Sequence, residues 1–151
     1  MEIIIKDARL VDVDLVLSLL ARQFAAEQGN EFSPGDQARG VRLMLDGCGK
    51  HRAVKVAWMD DAIVGMCTAQ AQISMVQGRI DAVVNDLIVD HAFRKKGVAA
   101  FLLSAIEAWA LNKGIKFISL LAKEDDQDRL DFYNRREWKR SPLICLAKSL
   151  D

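Results

Sequence analysis

The chain has 151 residues, 51% hydrophobic and 28% charged, and its 21 basic and 21 acidic side chains cancel. That length suits a single domain over residues 1–151 with room for a core, and the absence of a basic excess argues against a nucleic-acid partner. Three cysteines (Cys48, Cys67, Cys145) and two histidines (His51, His91), none at metal-ligand spacing, point away from a disulfide framework or a metal site.

Residues 2–6 are short and β-branched, a first strand. From 12 to 28 apolar residues fall at Val13, Val16, Leu17, Leu20 and Phe24, which is helical spacing. Gly29-Asn30-Glu31-Phe32 breaks that helix. Ser33-Pro34-Gly35-Asp36 opens another, with Ser at the N-cap, Pro at the first helical position and Asp in the first turn. It runs to about residue 45, and Gly47-Cys48-Gly49-Lys50 forms a loop. Residues 53–59, 62–74 and 80–89 read as three strands of an antiparallel meander, joined by turns at Asp60-Asp61 and Gln77-Gly78-Arg79.

A helix over 97–112 carries Phe101, Leu102, Ala105, Ile106 and Trp109 on one face and ends at Gly114. A strand over 116–122, a short helix over 127–136 and a last strand within 138–149, centred on Leu143-Ile144-Cys145-Leu146, complete the order. A meander entering a helical crossover implies an α/β domain with a mixed, mostly antiparallel sheet covered by helices. Its two parallel strands are those before Gly97 and after Gly114. The N-terminus lacks a signal-peptide pattern and no apolar run reaches membrane-spanning length, so a cytoplasmic protein with no membrane partner is expected.

One stretch carries chemistry. The strand Asp86-Leu87-Ile88-Val89 leads through Asp90-His91-Ala92-Phe93 into Arg94-Lys95-Lys96-Gly97-Val98-Ala99. A basic, glycine-containing turn at a helix start gathers backbone N–H groups and about half a positive charge at one point. This is a phosphate site, and the apolar strand beside it offers an edge to a flexible ligand.

The element order together with this turn resembles the GNAT N-acetyltransferase superfamily, whose pattern is Arg or Gln, two variable residues, Gly, one variable residue, then Gly or Ala. Arg94-Lys95-Lys96-Gly97-Val98-Ala99 fits it, with Leu87-Ile88-Val89 upstream and Phe101-Leu102-Leu103 and Phe132-Tyr133 downstream. Asn85-Asp86-Leu87-Ile88-Val89 and Phe132-Tyr133-Asn134-Arg135-Arg136 are partly similar to the diamine and polyamine acetyltransferases. The resemblance implies that acetyl-CoA is the donor substrate, lying between parallel strands that splay apart at a bulge. Its pantetheine arm would pair with the backbone of Leu87, Ile88 and Val89. Its pyrophosphate would lie on the turn from Lys95 through Lys96, Gly97, Val98 and Ala99 to Ala100, with Arg94, Lys95 and Lys96 adding charge at the rim. Gly97 and Ala99 would allow phosphate oxygens to approach the N–H groups closely.

Acetyl transfer to a primary amine needs a neutral amine, although a free alkylammonium has a pKa near ~10. It also needs donors for the oxyanion, expected near Ile88, and a proton for the departing thiolate. Tyr133, the only tyrosine, matches the family residue that commonly gives that proton. For the base, some relatives carry Glu where this chain has Asn85. The alternatives are Asp86, Glu27, Glu31 or a water chain. Asp126 and Glu137 replace an Asn and a Gly of the family's late helix. The resemblance thus implies an N-acetyltransferase acting on a small-molecule or protein amine, with a homodimer as a compatible assembly. A non-catalytic acyl-CoA-binding module of the same fold is the second reading.

Overall fold

The computed structural model describes residues 2–27, 32–46 and 50–151. The chain forms two compact units, Met1–Leu120 and Leu121–Asp151. The first contains β1 (Ile4–Asp7), α1 (Val13–Ala26), α2 (Pro34–Leu45), β2 (Arg52–Met59), β3 (Ala62–Ser74), β4 (Arg79–Val89), α3 (Val98–Asn112) and β5 (Ile118–Leu120). The strands stand in the order β1-β2-β3-β4-β5. β2 with β3 and β3 with β4 are antiparallel and β4 with β5 is parallel, as the meander and crossover predict, and β1 adds antiparallel to β2. Of the breaks expected at Gly29-Asn30-Glu31-Phe32 and Gly47-Cys48-Gly49-Lys50, residues 29–31 and 47–49 lie outside the described residues, while Phe32 and Lys50 belong to no helix or strand.

Local chemistry accounts for the elements. Asp60 takes φ +54° in the two-residue turn between β2 and β3, the left-handed conformation that matches strand twist. Ser33 holds the N-cap position before Pro34, but its hydroxyl does not cap; its N–H donates to Gln37 Oε1 at 2.9 Å instead. Helices cover both faces of the sheet. On one side Val13, Val16 and Leu19 of α1 and Leu45 of α2 pack with Val54, Val56 and Met66.

On the other side lies α3, with Leu102, Leu103 and Ile106 fully buried, each contributing about 1.5–3 kcal/mol. Its close approach depends on Gly65 in β3. A Cβ there would stand 2.9 Å from Val98 Cγ1, 3.0 Å from Leu102 Cδ1 and 3.2 Å from the Ile88 carbonyl oxygen. Phe101, expected on the buried stripe, is 55% exposed, and Leu103 and Ala110 are buried instead. The register of the helix places Phe101 beside the turn that starts α3.

The second unit contains α4 (Gln127–Arg135). Residues 139–151 carry no helix or strand, which corrects the last strand expected around Leu143-Ile144-Cys145-Leu146. Leu143, Ile144 and Leu146 are each more than 80% exposed. Apolar residues at every position favour a strand without supplying the ladder partner that makes one. Among the described residues, no helix is long and apolar enough to cross a membrane.

Candidate active site

The parallel ladder is short. Ala82, Val83 and Val84 pair with Ile118, Ser119 and Leu120, and there β5 ends. β4 continues five residues to Val89, paired on its other side with β3. The register changes where the ladder stops: Val84 stands opposite Ala69 and Asp86 opposite Thr68, leaving Asn85 as an extra residue. This is a β-bulge, and it re-aims both side chains and backbone.

The side-chain consequence is direct. Thr68 Oγ1 donates to Asp86 Oδ2 at 2.6 Å, and Gln70 Nε2 donates to Asn85 Oδ1 at 2.9 Å. Thr68 and Gln70 are two apart on a regular stretch of β3 and share a face. Asn85 and Asp86 are consecutive, yet they share that face too. Both are exposed, whereas Thr68 is only 2% exposed. Their face is that of Val54, which pairs with Thr68 and packs beneath α1 and α2.

The backbone phase changes as well. Before the bulge the Ala82 N–H donates to the Phe117 carbonyl at 3.0 Å, so even-numbered residues look toward β5. After it the Asp90 N–H donates to the Val64 carbonyl at 2.9 Å, so Asp90 and Ile88 look toward β3. Val89, and Leu87 in the same phase, direct their backbone to the edge that β5 has left. An oxyanion donor expected near Ile88 therefore falls to its neighbours, because the Ile88 N–H looks the other way.

The turn follows at once. His91–Phe93 form one 3-10 turn, which Asp90 caps by accepting the Ala92 N–H at 3.0 Å. Lys95 and Gly97 both adopt left-handed backbone, at φ +63° and +86°. The ladder of α3 begins with the Phe101 N–H on the Gly97 carbonyl at 3.1 Å. The N–H groups of Val98, Ala99 and Ala100 precede that first bond, at the positive end of the helix. Arg94, Lys95, Lys96 and Gly97 are exposed, and Lys96 Nζ lies 5.6 Å from the Phe93 ring centroid. A Cβ on Gly97 would meet only the Phe101 ring, at 3.6 Å. The left-handed φ, more than space within the chain, calls for glycine here.

The second unit holds Tyr133, which is 7% exposed. Its ring meets Phe132 edge-on at 5.3 Å and Trp138 at 5.9 Å. Asp126 accepts the Arg129 N–H at 3.2 Å and so caps α4. Glu137 takes φ +69° just past the helix end. This is the conformation for which the family's glycine is suited. Of the other base candidates, Glu27 accepts the Gln23 side-chain amide at 2.6 Å at the end of α1, and Glu31 lies outside the described residues.

Sequence reasoning missed Gly65 and Thr68, and it reached the bulge only through the family resemblance, without placing it at Asn85. Each left a signal: a lone glycine inside a strand pattern, a lone threonine in an apolar run, and adjacent polar residues where alternation demands one.

A mixed sheet whose parallel pair ends at a bulge, leading into a left-handed basic turn at a helix start, is the architecture of the acetyltransferase fold. Residues 19–138 match the Acetyltransferase (GNAT) family, and the chain belongs to it. No curated protein sequence matches the chain. Among solved structures it is similar to a possible acetyltransferase from Clostridium difficile 630, with TM-score 0.85 and 16% identity over 100% of this chain and 99% of that one. It is also similar to an aminoglycoside acetyltransferase from an uncultured soil metagenomic sample, with TM-score 0.81 and 19% identity over 99% and 97% of the two chains. An aminoglycoside N-acetyltransferase in complex with CoA gives TM-score 0.83 and 15% identity over 99% and 96%. At these identities the likeness is one of fold.

Proposed function

We propose that the protein is an acetyl-CoA-dependent N-acetyltransferase that moves an acetyl group to a primary amine by direct transfer in a ternary complex. The observation that carries the reading is the continuity of Val84 to Ala100. The edge that β5 leaves at the bulge runs straight into a turn built to hold phosphate. Val89 and Leu87 would receive the pantetheine amides as an added strand. The N–H groups of Val98, Ala99 and Ala100 would receive the pyrophosphate, with Arg94, Lys95 and Lys96 contributing screened charge at the rim. The reading takes residues 1–151 as one functional domain, because the family match runs through both units.

Asp86 is the proposed base, or the carboxylate that holds the incoming ammonium. The Thr68 hydroxyl fixes one of its oxygens, and its exposure leaves it accessible to an acceptor. Tyr133 is the proposed acid for the departing thiolate, on the strength of its place in the family motif. Two of the similar structures are aminoglycoside acetyltransferases, which favours small amine-rich acceptors such as amino sugars or polyamines over a protein amine. Exposed Cys145 suits a reducing compartment. The exposed run Leu143, Ile144 and Leu146 supports a second copy of the chain as a partner, which sedimentation would read as a dimer.

A thiol-release assay with acetyl-CoA and a panel of amines tests the reading. Turnover is expected with at least one small polyamine. Tyr133→Phe is expected to lower kcat by roughly 10- to 100-fold while changing the Kd for CoA less than twofold. Equal kcat in that variant would remove Tyr133 from the mechanism. One observation favours the second reading, a CoA-binding module without turnover. Asn85 stands where some relatives carry a base, and its amide oxygen is committed to Gln70. CoA binding by calorimetry with no thiol release across the panel would select that reading.

A further inference from the structure

We propose that Arg22 and Asp90 are positioning residues that fix the entry of the coenzyme phosphate turn. The inference rests on the reading of that turn as the CoA pyrophosphate site. Asp90 is the hinge between β4 and the turn, and four hydrogen bonds converge on it. Its N–H donates to the Val64 carbonyl at 2.9 Å and its carbonyl accepts the Phe93 N–H at 2.9 Å. Its carboxylate divides between two partners: Oδ1 accepts the Ala92 N–H at 3.0 Å, and Oδ2 accepts Arg22 Nε at 2.8 Å.

Arg22 is itself held at three points. Besides Asp90, its guanidinium donates to Ser18 Oγ at 2.8 Å, one turn earlier on α1, and to the Ile63 carbonyl at 3.1 Å near the start of β3. One planar fork therefore ties α1, β3 and the β4-to-α3 turn together, 68 residues from Asp90 in sequence. Lysine cannot reproduce this, since its ammonium is a compact charge without the fork.

The energy of the pair alone does not explain the arrangement. Arg22 is 43% exposed and Asp90 14%, so solvent screens much of the attraction. Geometry explains it better. A shallow cleft of about 430 Å³ separates the end of α1 from the turn, lined by Arg22, Gln23, Ala25, Ala26, Asp90 and His91. Among the described residues, apolar packing does not fill that gap, and the ion pair bridges it. The turn beyond contains Lys95 in left-handed backbone. Such a conformation persists only where the surroundings over-determine it. A small rotation at Asp90 would move every N–H group from Lys95 to Ala100 relative to a bound phosphate, while the strand edge at Val89 stayed anchored to β3.

This separation defines the test. Calorimetry measures CoA binding, and ligand-detected NMR measures pantetheine, which lacks the pyrophosphate. Wild type, Arg22→Met, Arg22→Lys and Asp90→Asn are compared, with thermal unfolding to confirm that each is folded. Arg22→Met is expected to raise the Kd for CoA roughly tenfold and that for pantetheine less than twofold. Arg22→Lys and Asp90→Asn are expected to fall between it and wild type, because each keeps part of the network. Should Arg22→Met fail to fold, those two milder variants decide. Unchanged CoA affinity in folded variants would overturn the inference and leave the CoA site standing. Equal losses for CoA and pantetheine would also overturn it, by showing general loosening. Failure of the wild type to bind CoA would instead overturn the reading of the turn itself.

Discussion

Glu137 shows how one residue can record a family's backbone requirement after the side chain has changed. The end of α4 needs a left-handed residue, and glutamate supplies it at φ +69° against the steric cost of its Cβ. Glu137→Gly is therefore expected to stabilise the protein by about 1 kcal/mol. That would raise the thermal midpoint by about 2–4 °C, read by circular dichroism, and no change would mean that the helix end relaxes in solution. Gly97 was legible in the sequence through its motif, but its φ adds a reason that a six-residue pattern does not contain. Asp86 was less legible. Strict alternation puts it on the face opposite Asn85, and only the bulge brings the two together.

At the scale of elements, the approach of α3 to β3 depends on the absence of a side chain at Gly65. The atoms that a Cβ would strike include Val98 Cγ1, the first residue of α3. Gly65→Ala is expected to cost about 1–3 kcal/mol and to weaken CoA binding as well, because the strain is relieved by shifting the start of the helix. Urea unfolding and calorimetry on the same variant would check both. A stability loss without a change in affinity would place the relaxation further along α3.

Strands and helices of the first unit were readable because periodicity and turn residues agreed, as at Asp60-Asp61 and Gly114. The segment 138–149 was misread because a run of Leu, Ile, Cys and Leu has no period. It shows apolar character without a face or a partner. β5 is shorter than the expected 116–122 for a related reason: only Ile118, Ser119 and Leu120 find rungs on β4 before the bulge.

For the whole molecule, binding at the turn is expected to be visible as stability. A ligand that binds only the folded chain adds about 2.7 kcal/mol when present at 100 times its Kd, so saturating CoA should raise the thermal midpoint by about 5–10 °C. Desulfo-CoA should do nearly the same, and pantetheine much less. Equal shifts from pantetheine and CoA would place the binding energy on the strand edge. The bulge at Asn85 has a further consequence for the spacing of the chain. β4 has one more residue than it has rungs, so its two halves are out of phase. Deleting Asn85 would remove the bulge and bring the two halves into one strict alternation, with Asp86 still opposite Thr68 and Val89 still on the open edge, because every other rung keeps its partner. The interval from Asp86 to Asp90, where successive N–H groups alternate between β3 and the open edge, is the part that behaves like a reading frame. One residue more or fewer there would reverse the coenzyme edge, while the hairpin tip at Met75 and Val76, both more than 90% exposed, has no such frame to keep and should accept insertions.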